Sequence, residues 1–318
     1  MTDYTVVTGN CLETLGDMAS ESVHCCVTSP PYFGLRDYGY EGQIGAEQTP
    51  DEYVANLVRV FREVRRVLRD DGTVWLNLGD TYNAYNGNRG TSKGKANKNH
   101  HDIMPELPGG HGLTVKALKN KDLIGIPWRV AFALQQDGWI LRQDIIWHKP
   151  NPMPESVRDR CTKAHEYVFL LSKGPRYYYD HEASKEPAKK GSAGSSFNSG
   201  KTGVHQMGRS SSKARVDTGK RNRRSVWSVA TRPYKGAHFA TFPPDLIEPC
   251  ILAGCPEGGT VLDPFGGSGT TAGVAIKNRR LAIICEMNPD YAALVPERVE
   301  QIAGPQDDLL AKSGGGHD

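Results

Sequence analysis

The sequence predicts an α/β fold, an open and mostly parallel β-sheet covered by helices on both faces. Three observations lead to this prediction. Short apolar runs alternate with segments of helical periodicity along the chain. Two of these runs end in turns rich in glycine or proline. The length of 318 residues suits one large domain, alone or with a smaller appendage.

The first elements lie ahead of residue 175. VHCCVT (23–28) reads as a short buried strand that ends in a Pro-Pro turn. Residues 51–72 have apolar positions at helical spacing, with Gly72 in place to end the helix. The elements that follow are a strand at 72–80, a helix at 126–138 with Pro127 in its first turn, and adjacent strands at 139–149 and 165–173.

Residues 259–286 predict a strand, a glycine-rich turn, a helix and a second strand. Glycines in such a turn let the backbone approach a ligand closely. GSGTTA (267–272) satisfies the loose dinucleotide pattern, and Glu286 follows about 20 residues later, where an acid accepts hydrogen bonds from ribose hydroxyls. This indicates a ribose-containing cofactor and leaves a nicotinamide or flavin enzyme open. A P-loop is excluded because its lysine is missing.

Positive charge is concentrated in one part of the chain, although the net charge is only +3. The basic segment, residues 185–235, is rich in glycine, serine, lysine and arginine, with Glu186 and Asp217 as its only acids. Such a segment suits a surface that neutralises phosphates, and a solvated linker is the alternative. The candidate DNA contacts are Lys213, Arg215, Arg221, Arg223 and Arg224. A second stretch, 85–121, predicts a mobile basic loop.

The seven cysteines show no CxxC pair and no histidine at zinc spacing, so we expect reduced, mostly buried thiols and no metal. The N-terminus lacks a signal sequence, and no apolar run reaches the roughly 20 residues of a spanning helix. We therefore expect a cytoplasmic protein without membrane attachment.

A second candidate motif, Thr28-Ser29-Pro30-Pro31-Tyr32, follows the early strand. Methylation of an aromatic amino group requires its delocalised lone pair to be localised, and two acceptors for its two N–H bonds achieve this. Ser29 Oγ and the Pro30 carbonyl can serve, because consecutive prolines have fixed φ and donate no N–H. Tyr32 offers an aromatic face for an extruded base. An ordinary strand-ending turn is the alternative.

Together the two motifs resemble those of the amino-methylating DNA methyltransferases, which act on N4 of cytosine or N6 of adenine. TSPPYFGLRDYG (28–39) is similar to the family's catalytic motif and LDPFGGSGTT (262–271) to its cofactor motif. Further segments resemble its subsidiary motifs in order: WLNLGDTY, DIIWHKPNPMP, HEYVFLLSK and HFATFPPDL. The catalytic motif precedes the cofactor motif, as in the circularly permuted beta group. The resemblance implies a Rossmann-like, S-adenosylmethionine-dependent methyltransferase fold, mostly parallel with an antiparallel edge strand.

The resemblance also implies roles for individual residues. Ser29, Pro30, Pro31 and Tyr32 would hold and stack the target base. The methionine end of S-adenosylmethionine would contact Thr241, Phe242, Asp263, Pro264, Phe265, Gly267, Ser268, Gly269 and Thr270, and Glu286 its ribose. At Asn10-Cys11 the family usually has an aspartate that binds the adenine amino group. The amide of Asn10 can still accept that bond, but without charge.

The implied organisation is a catalytic half at 1–175, a basic target recognition region at 176–236, a cofactor half at 237–303 and a flexible tail at 304–318. Double-stranded DNA is the expected partner, which would associate the protein with the nucleoid. A homodimer and a cognate restriction endonuclease acting on the same site are left open.

Serine at the first catalytic position favours N4-cytosine in this family, with N6-adenine as the alternative. A neutral hydroxyl can also donate to cytosine N3.

C5-cytosine methylation would need a nucleophilic cysteine after a proline, and Pro249-Cys250 offers that dipeptide, but its helical spacing indicates a structural Cys250. A catalytically silent DNA-binding protein is disfavoured by the two intact motifs, and a glutamine methyltransferase by their order.

Overall fold

The computed structural model describes residues 3–35, 39–40, 42–83, 118–188, 219–231 and 242–304. Most of the predicted basic loop at 85–121 lies outside the described residues, as do 189–218 of the basic segment and the tail beyond Gly304. None of the helices described is long and apolar enough to cross a membrane.

The described elements alternate between strands and helices, as the sequence predicted. The strands are β1 (Tyr4–Thr8), β2 (Val23–Thr28), β3 (Leu68–Leu78), β4 (Ile140–His148), β5 (His165–Ser172), β6 (Glu186–Pro187), β7 (Lys220–Arg221), β8 (Val226–Ser228), β9 (Thr260–Asp263) and β10 (Leu281–Glu286). The helices are α1 (Cys11–Gly16), α2 (Pro50–Val67), α3 (Ile126–Gln136), α4 (Pro244–Gly254), α5 (Thr270–Lys277), α6 (Pro289–Ala292) and α7 (Val295–Ala303).

Eight strands form one sheet in the order β1-β10-β9-β2-β3-β5-β4-β8. Strand β5 is antiparallel to both of its neighbours, whereas the other neighbouring pairs of this sheet are parallel. This confirms the mostly parallel α/β sheet and the predicted pairing of β4 with β5. The antiparallel strand was expected at the edge. It is instead third from that edge, because β4 and then β8 extend the sheet beyond it.

Helices cover both faces of the sheet and create two cores. Successive side chains of a strand point to opposite faces, so Val74 and Leu76 enter one core while Trp75 enters the other. The first core is closed by residues of α1, α2 and α3, and the second by residues of α4, α5 and α7. The two-faced arrangement predicted from the sequence is therefore present.

Helix α2 ends earlier than its periodicity predicted. It begins at a capping box formed by Thr49 and Glu52 and ends at Val67, so the expected end at Gly72 was wrong. The chain enters β3 at once because Leu68 pairs with Val23 of β2. The register then shifts, and Gly72 lies inside β3, where a Cβ would stand 2.5 Å from Leu68 Cγ.

Candidate active site

The two sequence motifs meet at the end of the sheet formed by the carboxyl ends of its parallel strands. Strands β2 and β9 are parallel neighbours, with Cys26 opposite Leu262. The carboxyl ends of neighbouring parallel strands lie side by side, and in open α/β sheets ligands bind at that edge. Ser29, which follows β2, and the glycine-rich turn that follows β9 are therefore adjacent.

Asp263 joins the two motifs. Its Oδ1 accepts hydrogen bonds from Thr28 Oγ1 at 2.6 Å and from Phe265 N at 3.1 Å, and its Oδ2 accepts one from Thr271 Oγ1 at 2.6 Å. The side chain is buried, and burial raises its pKa to about 6, with the bonds from Thr271 and Thr28 acting in the opposite direction. Both oxygens of the predicted cofactor residue are thus engaged by the protein itself.

The glycine-rich turn is shaped by close backbone approaches. Gly267 and Gly269 have φ of 53° and 89°, a region that favours glycine. A Cβ at Gly266 would stand 1.9 Å from Ile284 Cγ2, and one at Gly269 would stand 2.7 Å from Val295 Cγ1. Within the turn, Ser268 Oγ is buried and has no hydrogen-bond partner in the part of the chain that is described.

Glu286, at the end of the neighbouring strand β10, hydrogen-bonds with the glycine-rich turn. Its Oε2 accepts a hydrogen bond from Gly267 N at 2.8 Å, and its Oε1 accepts one from Asn288 N at 2.9 Å. Burial raises its pKa. Its main-chain oxygen also accepts a bond from Gly9 N, which brings Asn10 to the same edge. Asn10 Oδ1 caps α1 by accepting from Leu12 N at 2.9 Å, and this structural role was not foreseen.

These features match the needs of S-adenosylmethionine. The ribose hydroxyls need an acceptor, which the partly engaged carboxylate of Glu286 offers. The polar methionine end needs donors, and Ser268 Oγ is a buried hydroxyl without a partner among the described residues. Glycines admit the ligand to the backbone.

Helix α2 makes a hydrogen bond to the catalytic motif. Tyr53 Oη donates to the Pro31 carbonyl at 2.8 Å, whereas no described residue donates to the Pro30 carbonyl. Tyr32 Oη lies 2.6 Å from Glu166 Oε2 and 3.2 Å from Asn77 Oδ1. Sequence reasoning missed Glu166. An acid near the start of the mostly apolar β5 was the available signal.

Of the other residues predicted to contact the cofactor, three are buried or pack against a core. Phe242 is buried in the second core, Phe265 packs against the first, and Cys11 is buried in α1. Thr241 lies outside the described residues.

The basic segment joins the sheet through β8, which pairs with β4. Two of the arginines proposed as DNA contacts, Arg221 and Arg224, share one partner, Glu186 Oε1, at 2.8 and 2.7 Å. Arg223 donates to the Ser184 carbonyl at 3.0 Å. Lys213 and Arg215 lie outside the described residues.

Cys250 is buried in α4, and burial raises the pKa of its thiol, which lies 3.7 Å from the Leu246 carbonyl. A thiol held neutral inside a helix is unsuited to nucleophilic attack. The structural interpretation of Cys250 is therefore supported.

Comparison with known proteins finds a matching family model and similar type II methyltransferases. A family model described as DNA methylase, of the N6/N4 type, matches residues 23–297. Type II methyltransferase M.SmaI of Serratia marcescens is 50% identical over 294 residues, which cover 92% of this chain and 90% of that protein. M.XycI of Xanthomonas campestris pv. cyanopsidis is 48% identical over 298 residues, which cover 93% and 87%.

Two solved structures share the fold. PvuII DNA methyltransferase (cytosine-N4-specific) aligns with a TM-score of 0.62 at 20% identity, covering 94% of this chain and 86% of that one. A putative DNA modification methylase of Thermus thermophilus, solved with S-adenosyl-L-methionine, aligns with a TM-score of 0.57 at 22% identity, covering 94% and 95%.

Proposed function

This chain belongs to the DNA methylase family that methylates base amino groups, and from that membership we propose that it methylates N4 of cytosine at a specific site in duplex DNA. The coarser activity, S-adenosylmethionine-dependent methylation of DNA, follows from the family itself. The observation that carries the finer proposal is the serine at the first catalytic position, Ser29, which the Thr28–Asp263 hydrogen bond keeps beside the glycine-rich turn.

In this proposal the turn and its neighbours hold the cofactor. The bound cofactor supplies an electrophilic methyl group on a sulfonium centre. Glu286 would accept hydrogen bonds from the ribose hydroxyls, Asn10 would accept one from the adenine amino group, and Ser268 Oγ would hydrogen-bond with the methionine end. Pro264, Phe265, Thr270, Thr241 and Phe242 complete the proposed lining.

The catalytic motif then prepares the amino group. Ser29 Oγ and the Pro30 carbonyl accept its two N–H bonds, which localises the nitrogen lone pair for direct displacement. The Pro30 carbonyl suits this role because no described residue competes for it. The base reaches this edge only when turned out of the duplex, and Tyr32 offers a face for stacking.

Cytosine is favoured over adenine because serine stands at the first catalytic position. PvuII methyltransferase, which shares the fold, is named as cytosine-N4-specific, and this agrees with the proposal. Methylation of adenine N6 is the alternative. Since the relatives are named type II methyltransferases, a companion endonuclease that reads the same site is also proposed.

Nucleoside analysis tests the choice of base. We would incubate the protein with unmethylated plasmid and S-adenosylmethionine, digest the DNA to nucleosides and identify the methylated species by mass spectrometry. We expect N4-methyldeoxycytidine, with far less of it formed by the Ser29→Ala variant in the same time. N6-methyldeoxyadenosine would replace the proposal by its alternative, and 5-methyldeoxycytidine would overturn the mechanism. Sequencing that detects modified bases would then give the recognition site.

A further inference from the structure

One face of the Tyr32 ring lies on the backbone of Gly79, which directly follows β3. A Cβ at Gly79 would stand 2.5 Å from Tyr32 Cε2, 3.0 Å from Cδ2 and 3.1 Å from Cζ. Short distances to three neighbouring ring atoms indicate an approach over the face of the ring, because an approach in its plane would be close to one atom only. Tyr32 is partly buried, and the face opposite Gly79 is the one left for a stacked base.

The hydroxyl end of the same ring is held by a carboxylate. Tyr32 Oη donates to Glu166 Oε2 at 2.6 Å, and Lys149 Nζ donates to the other oxygen of that carboxylate. Asn77 Nδ2 also donates to Glu166 Oε2, at 3.2 Å. An ionised carboxylate only accepts hydrogen bonds, so the phenol proton of Tyr32 points to Glu166.

The groups that hold the hydroxyl are themselves fixed by the sheet. Asn77 belongs to β3 and Glu166 to β5, and Lys149 directly follows β4. The side chains of Lys149 and Glu166 are only 20% and 13% exposed. A carboxylate so far removed from water is stable here because a cation and hydrogen bonds compensate it. The anchor of the Tyr32 hydroxyl is therefore in place before DNA binds.

The two restraints act on the one torsion that is otherwise soft. Rotation of a tyrosine ring about χ2 has broad minima, whereas contact over one face and a bond at the far end together define its plane. A base that stacks on the ring takes up that plane, which sets the direction of its amino group. Direct displacement requires the attacking nitrogen to be aligned with the methyl group, so the plane of the ring bears on the rate.

We propose that Gly79 and Glu166 are positioning residues that fix the plane of the Tyr32 ring and thereby align the stacked target base for methyl transfer. This inference rests on the proposed function. Glu166 acts through the hydroxyl, and Gly79 acts by leaving space that any side chain would take from the ring.

A double-mutant cycle tests the part of Glu166. Single-turnover methyl transfer would be measured for wild type, Tyr32→Phe, Glu166→Ala and the double variant, with saturating cofactor and DNA. We expect each single variant to be slower by about 10-fold, and the double variant to be no slower than the slower single one, since both changes break one hydrogen bond. Glu166→Gln keeps an acceptor oxygen and should recover part of the rate.

Gly79→Ala tests the other restraint without touching the hydrogen bonds. The three atoms nearest to the added methyl group all belong to Tyr32, so the ring must shift. We expect single-turnover transfer to slow by about 10- to 100-fold, as for a small misplacement of a reacting group. Gly174→Ala, shortly after β5, is the matched control, because its Cβ would meet nothing nearer than 3.9 Å, and it should keep the wild-type rate.

The Kd for S-adenosylmethionine should stay within about twofold of wild type in all variants. A merely structural role would lower the melting temperature of Gly79→Ala and Glu166→Ala and leave their single-turnover rates at the wild-type value, which would overturn the inference. Losses that multiply in the double variant would overturn it as well. Should either protein fail to fold, a wild-type rate for Tyr32→Phe overturns the inference equally. Wild-type methylation in the same assay tests the proposed function separately.

Discussion

One hydrogen bond, from Thr28 Oγ1 to Asp263 Oδ1, joins residues 235 positions apart in the chain. A buried carboxylate is costly unless hydrogen bonds satisfy it, and three donors from Thr28, Phe265 and Thr271 do so here. Asp263 therefore stabilises the meeting of the two motifs, and a direct contact with the cofactor remains a prediction.

The raised pKa of Asp263 predicts a pH-dependent contribution to stability. The folded protein binds this proton at about pH 6, whereas the unfolded chain binds it only near 3.8, so its contribution is fully present below pH 3.8 and is lost as pH rises through about 6. Relative to Asp263→Asn, wild type should gain up to ~3 kcal/mol of unfolding free energy between pH 7 and 4, at about 1.4 kcal/mol per pKa unit. Urea titrations at several pH values measure this, and a difference that does not vary with pH would contradict it.

Ser29→Ala separates catalysis from cofactor binding. The change removes one acceptor of the amino group and no contact to the glycine-rich turn. We expect methyl transfer to fall by ~100-fold or more, as when one hydrogen bond to a transition state is lost. Calorimetric titration should show wild-type affinity for S-adenosylmethionine. A large loss of that affinity would show that Ser29 lies in the cofactor pocket instead.

At the scale of residues, the sequence located the two motifs but not the hydrogen-bond partners that lie far away in the chain. Ser29 and the glycine-rich turn stand in short motifs whose spacing can be recognised directly. Glu166 and Asp80 act through hydrogen bonds to segments far away in the chain, and such pairs depend on which strands become neighbours. Local patterns do not contain that information.

Helix α3 illustrates this at the level of an element. Its N-cap is Gly125, with φ of 79° and no side chain to satisfy the first N–H groups. Asp80, just after β3, serves instead, with its Oδ1 accepting from Gly125 N and Ile126 N at 3.0 Å. The cap thus ties α3 to the carboxyl end of β3, beside the catalytic motif.

We expect Asp80→Ala to destabilise the protein by about 1–2 kcal/mol, as for the loss of a helix cap. Asp80→Asn keeps one acceptor oxygen and should cost less. Chemical denaturation compares the three proteins. Equal losses for the two variants would indicate that the charge of Asp80, rather than the cap, matters.

Strands and helices were predicted well where periodicity and burial agree, as for β2, α3 and α4. Two features needed tertiary information. The helical spacing of α2 continues past Val67, but pairing of Leu68 with Val23 outweighs it. The antiparallel β5 is interior because it pairs with β3 on one side and β4 on the other, and this strand order is not contained in local patterns. Beyond β4 the sheet ends at β8, a three-residue strand too short to be recognised in the sequence.

At the scale of the whole molecule, the proposed DNA binding depends on how charge is distributed in the basic segment. Glu186 is 13% exposed and receives both Arg221 and Arg224. Burial alone would raise its pKa, but the bonds from these arginines outweigh it and lower the pKa. The two guanidinium groups are therefore partly neutralised before any phosphate approaches.

Removing positive charge and removing negative charge from the cluster of Glu186, Arg221, Arg223 and Arg224 should have opposite effects on DNA binding, which tests the proposed role. Replacing Arg221, Arg223 and Arg224 by glutamine should weaken DNA binding and reduce the slope of log K against log salt by about 0.9 per lost phosphate contact. Glu186→Gln should instead strengthen binding at low salt, because it releases Arg221 and Arg224. Arg62→Gln, which breaks the ion pair between Arg62 of α2 and Asp137 at the end of α3, is the control and should change neither quantity. If the cluster only stabilises the fold, both changes at it would lower the melting temperature and leave DNA affinity unchanged.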